Sequence, residues 1–84
     1  RIGRDRFMRN VLIAVGNSGS TELVPVVLER LEDVSPFVRE AAVWALGQLD
    51  NKEARKQMIA RLPSEADEAV RTEWQTFNSD EEAI

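Results

Sequence analysis

Arg4, Arg6 and Arg9, with Asn10, Asn17 and Ser18 behind them, are the residues of this 84-residue chain whose types and spacing suggest chemistry. Guanidinium groups two and three residues apart, followed by amides and a hydroxyl, can grip a row of phosphate oxygens. The cations supply attraction and the neutral groups supply directed hydrogen bonds. The chain's net charge is −4, yet its first sixteen residues hold Arg1, Arg4, Arg6 and Arg9 against Asp5 alone. A basic pole on an acidic body suits an anionic partner met at one end.

Other chemistries are excluded by what the sequence lacks. It has no histidine and no cysteine, so Ser18 and Ser20 have no imidazole base for a hydrolytic triad, and the commonest metal ligands are missing. No pair of carboxylates stands at a spacing that suggests acid/base work or a metal site; Glu65, Asp67 and Glu68 read as helix-start charges. Gly16 and Gly19 follow no strand, so a phosphate cradle of the dinucleotide type is not expected. The chain is read as carrying no catalytic residue, no metal and no cofactor. Its longest apolar run, Val11 to Val15, falls far short of the roughly 20 residues of a membrane helix. Nothing resembles a signal peptide, and a cysteine-free composition fits a reducing, cytoplasmic setting.

The elements that must position the basic residues are helices. From about Arg6 to Gly16, Phe7, Met8, Val11, Leu12, Ala14 and Val15 share one arc, while Arg6, Arg9, Asn10, Ile13 and Asn17 share the other. Gly16 and Gly19 around Asn17-Ser18 read as a helix end and a tight turn. Ser20 is placed to cap a second helix, Thr21 to Glu32, in which Pro25 either makes a kink or delays the start. Ser35 and Pro36 open a third, reaching Leu49, with Val38, Ala41, Ala42, Ala45, Leu46 and Leu49 inward. Asp50 and Glu53 form a capping-box pattern before a fourth, with Ala54, Met58, Ile59 and Leu62 inward. Pro63 stops that helix and Ser64-Glu65-Ala66-Asp67 restarts a fifth, carrying Ala69, Val70, Glu73, Trp74 and Phe77. Residues 78–84 are acidic and unpatterned, the signature of a frayed tail.

The helices repeat. A shift of 31 lays Ala14, Val15 and Gly16 on Ala45, Leu46 and Gly47, and Leu28, Arg30 and Leu31 on Ile59, Arg61 and Leu62. A shift of 32 lays Val38-Arg39 on Val70-Arg71. Two antiparallel helices, each too short to bury its apolar face alone, form the unit. The fold class is therefore all-α, a short α-α solenoid of about five helices in one domain over residues 1–84. Asp33, Pro36, Val38-Arg39, Ala41-Ala42 and Ala45-Leu46-Gly47 resemble the HEAT-like repeat of the PBS-lyase type. The first helix reads as the second half of an incomplete repeat, so the chain is expected to be a fragment of a longer protein. Arg39 and Arg71 are expected to pair with a turn carboxylate such as Asp33 or Asp67.

In such a stack the second helices stand side by side. Arg6, Arg9, Asn10, Ile13 and Asn17 then correspond to Phe37, Glu40, Ala41, Trp44 and Gln48, one stripe of arginines, amides and a tryptophan. The alternative is a set of solvated helix faces, with Trp44 tucked under its neighbour.

The run Gly3-Arg4-Asp5-Arg6-Phe7-Met8-Arg9-Asn10-Val11-Leu12-Ile13-Ala14-Val15-Gly16-Asn17-Ser18-Gly19 resembles the segment entering the C-terminal HEAT-like domain of tRNA epoxyqueuosine reductases. Leu23-Val24-Pro25 and the run from Val38 to Gly47 are similar to the same domain, so the likeness covers roughly residues 1–62. It implies a parent oxidoreductase that uses two [4Fe–4S] clusters and a cobalamin to reduce epoxyqueuosine in tRNA. Those sites would lie upstream. What carries over is help in holding tRNA, onto Arg4, Arg6, Arg9, Asn10, Asn17 and Ser18, with Trp44 and Gln48 continuing the stripe. Two other readings remain: a buttress docked on the upstream catalytic domain, or a general protein-binding HEAT surface.

Overall fold

The computed structural model describes residues 2–78. Most of the expected frayed tail, residues 79–84, lies outside them. Five α-helices follow one another, and no strand occurs among the described residues: α1 (Ile2–Ser18), α2 (Val24–Arg30), α3 (Pro36–Leu49), α4 (Asn51–Arg61) and α5 (Glu68–Gln75). Single 3₁₀ turns precede α2 and α5, at Thr21–Leu23 and Leu62–Ser64.

The helix ends follow local chemistry, with some departures from the sequence reading. α1 begins about one turn earlier than Arg6, with Asp5 in its first turn, where a carboxylate is favoured by the helix dipole. It runs through Gly16 and stops only at Gly19, whose φ of 71° is the left-handed conformation that ends helices at low cost to glycine. Pro25 falls in the first turn of α2, where a missing N–H costs nothing, so it delays the helix instead of bending it. Ser20 and Ser35 occupy cap positions, but neither hydroxyl makes a capping bond. Asp50 and Asp67 do cap, accepting the N–H groups of Glu53 at 3.0 Å and Val70 at 3.1 Å. The Glu53 side chain does not complete a capping box; it accepts from the Gln57 amide at 2.8 Å.

α3 is the hub. It packs against α1 and α5 on either side in one layer and against α2 and α4 in the other. Being flanked in both layers, it buries Val38, Ala41, Ala42, Val43, Ala45, Leu46 and Leu49, including Val43, which lies outside the predicted core arc. Leu12, Val27, Leu31, Ala54, Met58, Val70, Trp74 and Phe77 complete the core from the other helices. Small residues on α3 allow the close approach. The edge helices bury less than predicted. Phe7 is 66% exposed and Ile59 68%, and Ala14 is open to solvent. Each belongs to an apolar arc that has a neighbour on one side only. Ile13, expected outside, is half-buried instead.

Two glycines set the spacing of the α1–α3–α5 layer. A Cβ on Gly16 would stand 2.5 Å from Cζ3 of Trp44 and 3.1 Å from the Ala45 Cα. A Cβ on Gly47 would stand 2.6 Å from the Phe77 ring. The two glycines are repeat equivalents, and each receives an aromatic ring, Gly16 from Trp44 in α3 and Gly47 from Phe77 just after α5.

Candidate nucleic-acid interface

The structure divides the sequence-selected residues into those used inside the fold and those left outside it. Arg4 belongs to the first group. Its guanidinium donates to both oxygens of Asp33, at 3.1 and 2.6 Å, and to Asp5 at 2.8 Å. Ser18 also belongs there: its hydroxyl donates to the Val15 carbonyl at 2.6 Å and accepts the Ser20 N–H at 3.1 Å, closing the turn after α1. These polar groups already have partners inside the fold, so an outside ligand would have to compete with those bonds.

Arg6 and Arg9 belong to the second group. Both are exposed. Arg4, Arg30, Arg39, Arg55, Arg61 and Arg71 all hydrogen-bond or pair within the fold. Among the described arginines, only Arg6 and Arg9 have neither a hydrogen bond nor an ion pair. Arg9 lies over the Phe37 ring, with Cζ 5.2 Å from its centroid, and Arg6 borders a notch with Ile2, Asp5 and Phe37. Asn10 and Asn17 are exposed on the same helix, and Gln48 on α3.

Trp44 is half-buried and tucked against Gly16, as in the alternative arrangement. What remains visible of it lines a groove of about 240 Å³ with Arg9, Ile13, Glu40, Ala41 and Glu73. Burial pushes the Glu73 carboxyl up from its ordinary value, and the Glu40 charge pushes it further. The stripe is therefore split. Its α1 side is cationic, while its α3–α5 side carries two neighbouring carboxylates that repel phosphate.

Two arginine clamps hold the stripe's helices in place. Asp33, in the turn before α3, accepts the Ser35 N–H at 3.0 Å and the paired bonds of Arg4. Arg4 holds its carboxyl down at about 2, well below the usual carboxylate range. Glu65, in the turn before α5, repeats the pattern: it accepts the Asp67 N–H at 2.9 Å and paired bonds from Arg39 at 3.0 and 2.8 Å. Burial pushes the Glu65 carboxyl up, but the Arg39 and Asp67 hydrogen bonds outweigh it and leave it lowered. Arg39 thus pairs with a turn carboxylate as expected, though not with either of the two named, while Arg71 finds carbonyl oxygens instead. Arg39 takes Glu65 and the Asp33 carbonyl (2.8 Å), and Arg71 takes the carbonyls of Leu62 and Glu65, both at 2.9 Å. Spacing along one chain shows that an arginine faces a turn, but not which oxygen it finds there.

Iron–sulfur clusters need thiolate ligands, and a chain without cysteine does not fit such a group. Among the described residues, no group of three or more carboxylates could hold a metal ion, and no helix is long and apolar enough to cross a membrane. Two residues were missed as candidates. Phe37 entered only as the repeat equivalent of Arg6, and Glu73 only as part of a terminal helix. An aromatic at a stripe position beside an arginine was the available signal for Phe37; Glu73 had none.

A family model described as HEAT repeats matches residues 5–76. Over 63 residues the chain is 30% identical to an epoxyqueuosine reductase of Yersinia pestis, covering 75% of this chain and 15% of that protein. It is 43% identical over 49 residues to an epoxyqueuosine reductase of Xanthomonas campestris pv. campestris, covering 57% of this chain and 14% of that one. An uncharacterized protein of Geobacillus stearothermophilus is 28% identical over 72 residues, 84% of this chain and 33% of its own length. The matched region spans a third or less of each of these relatives. No solved structure matches the chain.

Proposed function

This chain belongs to the HEAT-repeat family, and on that premise we propose that it is the C-terminal repeat domain of an epoxyqueuosine reductase, where α1 helps hold tRNA. The observation that carries the reading is that Arg6 and Arg9 alone among the described arginines have no hydrogen bond or ion pair within the fold. A helix face that leaves two guanidinium groups without a hydrogen bond or ion pair, with Asn10 and Asn17 beside them, is suited to a phosphate backbone. The acidic pair Glu40 and Glu73 confines that contact to the α1 side. Phosphates would meet Arg6 and Arg9, and the Trp44 groove would stay outside the footprint.

Titration of tRNA into the longer protein at several salt concentrations tests this. The double reversal Arg6→Glu/Arg9→Glu should weaken binding by about 10- to 100-fold at low salt and flatten the salt dependence by about two phosphate contacts. The melting temperature should stay near that of the parent, because neither residue is paired inside the fold. Unchanged affinity would remove the reading.

A second reading, a buttress against the catalytic domain, is favoured by Phe7, which is 66% exposed on α1. In α3 the repeat equivalents of Phe7 and Ala14 are Val38 and Ala45, both fully buried. The two readings use different faces of one helix and are compatible. In the 84-residue chain, Phe7→Gln should leave the melting temperature within about 2 °C, since an exposed side chain contributes little. In the longer protein, the same change should lower it if that face is covered.

A further inference from the structure

We infer that Phe37 is a stacking seat for one unpaired base of RNA, which narrows the ligand of the basic helix from nucleic acid in general to a single-stranded or looped segment. This rests on the phosphate reading of Arg6 and Arg9. Phe37 is 46% exposed in the first turn of α3. Arg9 approaches its ring at 5.2 Å, and the ring also lines a notch of about 300 Å³ formed with Ile2, Asp5 and Arg6. The Asp5 carboxylate in that notch accepts a bond from Arg4 at 2.8 Å.

Isolated exposed aromatics are ordinary on protein surfaces. This one differs in its setting. Arg9 lies over its ring, Arg6 shares its notch, neither arginine has a hydrogen bond or ion pair within the fold, and the exposed Ile2 side chain lines the same concavity. A base laid in the notch would meet the Phe37 ring and Ile2, while its own phosphate and the next would lie near Arg6 and Arg9. Bases inside a duplex are already stacked on their neighbours, so they cannot use such a seat. An unpaired base can, and stacking on an aromatic ring tolerates any base.

The test uses the 84-residue chain with a short, unstructured RNA of mixed sequence, alone and annealed to its complement. Phe37→Leu keeps apolar bulk and removes the π face. It should weaken single-strand binding by roughly 5- to 50-fold, leave duplex binding unchanged, and leave the salt dependence as it was. Phe37→Trp should restore single-strand affinity. The proposal is overturned if Phe37→Leu weakens both RNAs equally or neither. Arg6→Glu/Arg9→Glu separates the two ideas: it weakens both RNAs if arginine–phosphate contact is correct, and spares both if that reading fails, whatever Phe37 does.

Discussion

Replacing Asp33 by alanine is expected to destabilise the fold by about 2–4 kcal/mol, a fall in melting temperature of about 10–20 °C for a chain of this length. The Asp33 side chain is 2% exposed and serves four groups: both arms of Arg4, the Ser35 N–H, and Arg30 at 3.6 Å. Alanine leaves the N–H at the start of α3 without its acceptor and releases the first turn of α1. Acid should reproduce part of this effect. The Asp33 carboxyl titrates at about 2 in the fold against an ordinary 3.8, so the stability it contributes is complete above pH 3.8 and is lost as pH falls toward 2. Glu65, also lowered, acts with the same sign. Glu73, raised by burial and by Glu40, acts with the opposite sign, since protonating it relieves a buried charge. Urea titrations between neutral pH and pH 2 should therefore show stability level or slightly rising near pH 5, then falling steeply. In Asp33→Ala the fall should be shallower. An unchanged acid limb would show that the clamp does not contribute.

Gly16→Ala should cost about 1–3 kcal/mol, although alanine is favoured over glycine in helices by about 1 kcal/mol. Its Cβ would stand 2.5 Å from the rigid Trp44 ring and 3.1 Å from the Ala45 backbone. Relief requires turning the indole out of its seat or parting α1 from α3. Gly47→Ala meets the same problem at Phe77. Gly3→Ala is the control, because its Cβ would have nothing within 4 Å, and it should be neutral or slightly stabilising. Thermal melts of the three variants, with tryptophan fluorescence to follow Trp44, decide the matter. Equal stabilities for Gly3→Ala and Gly16→Ala would mean that the two helices are not locked in this way.

The sequence made some of this legible, and the reason differs from residue to residue. The cap carried by Asp50, and the start at Pro36, were readable because they are local: donor and acceptor lie within a turn. The periodicity identified the α3 core because α3 is enclosed on several sides. The same periodicity overstated Phe7, Ala14 and Ile59, since an apolar arc shows which residues could be buried but not whether a neighbour exists. Gly16 was visible as the equivalent of Gly47, yet its role depends on a ring 28 positions away in the sequence. The Arg4–Asp33 clamp spans nearly a whole repeat, and it gives a candidate ligand contact a structural role that residue spacing did not show. The remaining candidates, Arg6 and Arg9, were distinguished by what their neighbours do not offer. Such a vacancy is a property of three-dimensional surroundings, which residue spacing does not contain.

The paired clamps carry a further consequence, for fidelity in folding. Modules that look alike risk associating in the wrong order as a chain collapses. These two are not interchangeable. Arg39 follows Val38 and reaches a glutamate, Glu65. Its repeat equivalent in α1 is Met8, and the arginine that serves there, Arg4, stands one helical turn earlier and ends on the shorter Asp33. A mispaired stack would set a long acid against a donor placed for a short one, or leave a guanidinium short of its target by a methylene. The two clamps thus differ by a helical turn in the donor and a methylene in the acceptor, a difference that would favour the proper neighbour over the copy next door.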